Sequence, residues 1–197
     1  MRAAPLLLIA LLLAACGGSK AAAPPKPIVP KQPQHRFRGI AVPPAKAPPI
    51  ALHDAAGHPF TLTSQRGHYT LVTFLYTHCP DVCPLIAANL NQALRVTPHV
   101  SVLAVSVDPK GDTPAAVRAY VKQKHLVPQF HYLIGTPAQL RPIWATYHVA
   151  AVARSVGLVD HVAYTVLVDP QGRERLLYDA QVKAEMVVHD LRVLQHA

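Results

Sequence analysis

Apolar residues in this chain come in short runs broken by glycine, proline and acidic turns, and the spacing within each run predicts its conformation. Residues 69–76 are apolar on both faces, which predicts a strand buried in the middle of a sheet, and residues 100–107 repeat the pattern. Between them Leu85, Ile86, Leu90 and Leu94 recur at helical spacing up to about Arg95. Residues 50–54 and 58–62, separated by a turn with Gly57, predict a small hairpin. After 107, Asp112 or Thr113 can cap a helix that carries Pro114 in its first turn and runs to about His125. Residues 130–134 are a short apolar segment. Thr136 and Pro137 then repeat the cap-plus-proline signal for a third helix, kinked near its start by Pro142. Residues 162–168 predict another strand, 169–172 a turn and 174–178 its hairpin partner. Residues 182–195 close the chain as an amphipathic helix with Met186, Val187, Leu191 and Leu194 as its apolar stripe.

Strands alternating with helices, ending in a hairpin and a helix, predict an α/β domain: a three-layer sandwich with a central mixed sheet and an N-terminal hairpin. The order matches a thioredoxin-like domain. In open α/β sheets, active groups gather at the carboxyl ends of the strands, and the run from Tyr76 to Pro84 sits where a buried strand ends.

The first third of the chain has a different composition. Arg2 followed by an unbroken apolar run at 6–13 and the small residues Ala14 and Ala15 reads as an export signal over residues 1–15, too short to span a bilayer. It ends on Cys16, and Leu13-Ala14-Ala15-Cys16 resembles the lipobox of bacterial lipoproteins, which implies lipidation of Cys16; an ordinary signal peptide cleaved near that cysteine is the alternative. Residues 16–49 are rich in Ala, Pro and Lys, hold no acidic residue and show no apolar period, so they are expected to form a semi-extended linker ahead of a domain at 50–197. The chain carries a formal net charge of +9, much of it from Lys20, Lys26, Lys31, Arg36, Arg38 and Lys46. These cations suit either anionic lipid headgroups or simple solvation, and their spread along a linker without aromatics argues against nucleic acid.

Cys79 and Cys83 carry the chemistry. Spaced at i and i+4 at the start of a helix, they are expected to share one helical face at a separation that suits a disulfide or a shared metal ion. The helix dipole at that position lowers a thiol pKa. A disulfide closing so short a loop adds little stability, so stability is a weak reason for the pair. Only Met186 follows the initiator methionine, which excludes a thioether-based copper carrier.

Three separated segments carry a resemblance: residues 74–84, residues 106–114, and Val159-Asp160-His161 followed by residues 167–172. Together they resemble the Sco/SenC family of copper chaperones for cytochrome c oxidase assembly, from about His58 to the C-terminus. The resemblance implies copper bound by Cys79, Cys83 and His161, with Cys79 and Cys83 also forming a redox-active pair. It implies an oxidase subunit and a thiol reductant as partners, and an extracytoplasmic, lipid-anchored location. Two thiolates and an imidazole make a soft, low-coordinate site suited to Cu(I). Asp160 is expected either to orient His161 or to lie solvated in a loop. His78 is the rival ligand, expected to point away from the pair; His35, His189 and His196 read as solvent-facing. The competing readings are a thiol–disulfide oxidoreductase, with Cys79 as nucleophile and Cys83 as resolving thiol, and a copper or redox sensor. Against the oxidoreductase stand the three-residue spacing between the cysteines and the lack of any proline between Pro142 and Pro170 to face them, so the chain reads as a metallochaperone rather than an enzyme.

Overall fold

The first strand of the domain comes from the segment expected to be linker. In the computed structural model, which describes residues 36–150 and 163–196 together with the backbone of Val152–Ser155 and Leu158–Asp160, β1 (Ile40–Lys46) pairs antiparallel with a late strand. The expected boundary at residue 50 is therefore corrected: ordered sheet begins ten residues earlier, at Ile40. Pro43 and Pro44 hide it from pattern reading, because each lacks a ladder donor. They are tolerated because β1 is an edge strand whose register shifts between Ala41 and Ala45.

The other elements follow the expected order. β2 (Ala51–His53) and β3 (Pro59–Thr61) form the small hairpin, and a 3₁₀ turn (Leu62–Gln65) leads into β4 (Tyr69–Leu75). Helix α1 (Val82–Val96), β5 (Val100–Ser106), α2 (Pro114–Gln123), β6 (Phe130–Leu133) and α3 (Pro137–Thr146) come next. Two short strands absent from the sequence reading, β7 (Val152–Ser155) and β8 (Leu158–Asp160), pair with each other before β9 (Tyr164–Val168), β10 (Arg173–Asp179) and α4 (Ala184–Gln195). The caps behave as expected: Thr113 Oγ1 accepts from Ala116 N–H, and Thr136 forms a capping box with Gln139.

Six strands make the main sheet in the order β1-β10-β9-β4-β5-β6. The β4–β5 and β5–β6 pairs are parallel and the others antiparallel, which confirms the mixed sheet. Thr70 to Leu75 are buried without a break, so β4 is covered on both faces. Helices α1 and α4 pack on each other. On α1 the stripe facing inward is Ile86, Ala87, Leu90, Ala93 and Leu94; Leu85, expected in it, is 61% exposed.

Helix α4 buries one residue that no apolar pattern predicts. Asp190 is fully buried, accepting hydrogen bonds from the backbone N–H groups of Arg38 (2.7 Å) and Gly39 (2.8 Å) and from Tyr178 OH (3.0 Å). One carboxylate thus fastens the start of β1 to the last helix. A side chain at Gly39 would meet the Tyr178 ring at 2.7 Å, so glycine lets the strand approach. His189, expected to face solvent, is half-buried, with Nε2 3.3 Å from the Arg36 carbonyl. Asp190→Ala leaves the buried Tyr178 hydroxyl and two part-buried backbone N–H groups without their acceptor and is expected to lower unfolding stability by about 3 kcal/mol, read by urea denaturation, whereas an unchanged midpoint would show that the contacts are idle.

Candidate metal centre

The peptide leaves β4 at Leu75 and turns at once: the Cys79 N–H donates to the Tyr76 carbonyl at 3.3 Å. Pro80 disfavours helical backbone at the residue before it, and Asp81, the residue ahead of the helix, has φ −124° and ψ −104°. Cys79 therefore lies in the loop before α1, half-buried, and only Cys83 is on the helix, fully buried. This corrects the expectation that both thiols share a helical face. They meet instead through the helix start, where the Cys83 N–H donates to Cys79 Sγ at 3.4 Å. Asp81 makes no side-chain cap, so the Cys79 sulfur serves as an acceptor for one of the donors that open the helix.

No disulfide joins the two cysteines. A hydrogen bond from Cys83, helped by the backbone N–H groups of Asp81 and Cys83 and by the Tyr76 side chain, brings the Cys79 pKa down to about 5 against the opposing effect of burial. The same hydrogen bond, then burial, then the nearby charges of Cys79 and Asp112 push the Cys83 thiol well up. The hydrogen bond between the sulfurs thus favours charge on Cys79 and the proton on Cys83.

Asp112 lies behind this loop, 3% exposed, and accepts four hydrogen bonds. Thr77 supplies its backbone N–H and its Oγ1, both at 2.8 Å, Ser106 Oγ lies at 2.6 Å, and Tyr132 OH at 3.1 Å. Burial raises the Asp112 pKa while these donors oppose the rise. Sequence reading took Asp112 for a possible helix cap; Thr113 does the capping and Asp112 turns inward. Trp144 Nε1 donates to the Ser106 carbonyl at 3.0 Å, bracing the end of β5 beside the loop.

His78 is exposed, its Nδ1 3.0 Å from Thr77 Oγ1. Asp160 is the last residue of β8, opposite Val152 in the β7–β8 register. Its side chain, and the whole of His161 and of Cys16, lie outside the described residues. Strand β9 starts just after, at Tyr164, and runs antiparallel to β4 with Thr165 opposite Thr73. Tyr164, the first residue of β9, thus lies at the end of the sheet where β4 delivers the cysteines. Among the described residues no cluster of three His, Cys, Asp or Glu side chains is arranged to hold a metal.

A mixed sheet whose central strand runs into a paired-cysteine loop and a helix is a thioredoxin-like domain carrying a dithiol site. The chain belongs to the SCO1/SenC family, whose model matches residues 41–196. It is 35% identical to apo Sco1 from Thermus thermophilus, with a TM-score of 0.69 over 82% of this chain and 99% of that one. It is 33% identical to ScoI from Bradyrhizobium japonicum, solved with copper bound, with a TM-score of 0.65 over 75% of this chain and 98% of that one. A SCO2-like protein of Rickettsia typhi is 27% identical over 152 residues, 72% of this chain and 73% of the relative.

Because the thiolate form of Cys79 persists down to about pH 5, alkylation of the reduced protein by iodoacetamide is expected to stay fast through neutral pH and to fall off only as pH drops through that value. Cys83→Ala removes the main donor and is expected to move the inflection up towards an ordinary thiol. An unmoved inflection would show that the hydrogen bond between the cysteines is not the cause.

Proposed function

We propose that this chain is an extracytoplasmic metallochaperone that takes one copper ion on Cys79, Cys83 and His161 and serves the maturation of cytochrome c oxidase. The observation that carries the reading is the thiol pair itself: Cys83, buried on α1, lies against the half-buried Cys79, whose Sγ accepts from the Cys83 N–H, so that charge is favoured on the outer sulfur and the proton on the inner one. A soft cation replaces that shared proton and satisfies both sulfurs, which is the chemistry Cu(I) offers a dithiolate. Family membership and the copper-bound Bradyrhizobium relative support copper over other soft ions. The start of β9 at Tyr164, at the site end of the sheet, supports His161 as third ligand, and Asp160, next to it in sequence, as the group that orients the imidazole.

In an oxidising compartment Cys79 and Cys83 pair, so a thiol reductant has to act before loading. No helix among the described residues is long and apolar enough to cross a membrane, and attachment is assigned to a lipid on Cys16. A second reading, thiol–disulfide oxidoreductase acting on an oxidase subunit, is favoured by the low pKa of the more exposed Cys79 and the buried resolving thiol.

Three measurements separate these readings. His161→Ala is expected to weaken copper binding by about a hundredfold or more, equivalent to about 2.7 kcal/mol, while His78→Ala leaves affinity within about twofold. Loading at neutral pH should release about one proton per copper, from Cys83, and the disulfide form should take up none. Equal affinity for wild type and His161→Ala would overturn the ligand assignment, and turnover of a disulfide substrate without any copper binding would favour the oxidoreductase. Cys16→Ser is expected to shift the protein from the membrane to the soluble fraction with copper affinity unchanged; full retention on membranes would disprove the lipid anchor.

A further inference from the structure

Asp112 makes its hydrogen bonds to three other elements of the fold. Its Oδ1 takes both donors of Thr77, two positions before Cys79, while Oδ2 takes Ser106 Oγ at the end of β5 and Tyr132 OH within β6. The cysteine loop is thus clamped at two places: at Thr77 by Asp112, and at Cys79 Sγ by the Cys83 N–H. Only His78 lies between Thr77 and Cys79, and successive Cα atoms sit at a fixed spacing of about 3.8 Å, so a shift at Thr77 has to be taken up at Cys79.

We propose that Asp112 is the positioning residue of the metal centre: by holding Thr77 against the end of β5 it fixes where Cys79 Sγ stands relative to Cys83. The inference rests on the copper reading above for its main readout. Asp112 is not a ligand; it acts through Thr77. Asp112→Asn keeps the side chain's size but leaves one acceptor oxygen where the carboxylate has two, so the four hydrogen bonds can no longer all be accepted and the clamp is weakened. Thr77→Val removes one of the two Thr77 donors without touching the carboxylate. Tyr132→Phe removes a donor to the same carboxylate on the side away from the loop and serves as the packing control.

The test uses the full chain, reduced and loaded with Cu(II). Asp112→Asn and Thr77→Val are expected to shift the thiolate-to-copper charge-transfer band and the copper hyperfine splitting, and to weaken affinity about tenfold or more. Tyr132→Phe is expected to lower the thermal midpoint with the spectrum unchanged. An unshifted spectrum in Asp112→Asn, or in Thr77→Val should the first variant fail to fold, overturns the proposal. A shift in Asp112→Asn alone assigns the effect to lost charge and also overturns it, and an equal shift in Tyr132→Phe makes the role one of packing. If wild type binds neither Cu(I) nor Cu(II), the copper reading fails by itself. The proposal is then decided by the Cys79–Cys83 reduction potential against dithiothreitol, expected to move in Asp112→Asn and Thr77→Val and to stay put in Tyr132→Phe.

Discussion

Strand β4 has neither face nor edge in water. Its residues from Thr70 to Leu75 are buried, its ladder is completed by β5 on one side and β9 on the other, and the two partners run in opposite directions. That arrangement decides what can meet at the end of the sheet. A parallel partner ends where β4 ends, so Ser106 and the loop to α2 come up beside Leu75. An antiparallel partner begins there, so the segment leading into Tyr164 comes up on the other side. Buried backbone at that end has to find partners, and the side chains of Asp112 and Ser106 supply them, to the N–H groups of Thr77 and Asp108.

The two sulfurs differ because the fold treats them differently. Cys83 is carried inward by a helix whose neighbours are apolar, and Cys79 is kept out of that helix by the proline after it. Burial opposes charge on both, yet the helix start supplies donors only to the outer sulfur. A second thiolate beside the first, with the Asp112 carboxylate behind, is electrostatically unfavourable until a cation arrives. Charge on the two sulfurs is therefore favoured one at a time.

Much of this was readable from the chain. Apolar runs open to neither face marked β4 and β5, and glycine, proline and cap residues marked where α1, α2, α3 and the last hairpin begin or end. The reading failed where a local rule was overridden by a distant partner. Pro43 and Pro44 argue against a strand, but an edge strand with a shifted register accommodates them. Asp190 interrupts an amphipathic stripe and looks solvated until its partners, about 150 residues earlier, are known. Asp112 sits in a cap-like context, and only the tertiary fold shows that its acceptors are spent on Thr77, Ser106 and Tyr132. In the candidate site, Cys79 and Cys83 were legible from spacing, while His161 and Asp160 rest on resemblance and on their place in the order of elements, and Cys16, outside it, on a lipobox-like run.

The fastening of β1 by Asp190 has a directional consequence. Following the register across the sheet, Thr73 lies opposite Thr165, Thr165 opposite Tyr178, and the neighbouring Leu177 opposite Ile40. The chain therefore enters the domain at the end that carries the cysteine loop, displaced from β4 sideways by three strand spacings, about 14 Å, and not by the length of a strand. A pull transmitted along the chain from before Arg36 is taken up at that same end, first by a buried carboxylate and then by an edge ladder loaded along its strands. Where the described chain begins and where the cysteine pair stands are thus one end of the same sheet, and the loops before β4 and β5 lie a strand's length away at the other.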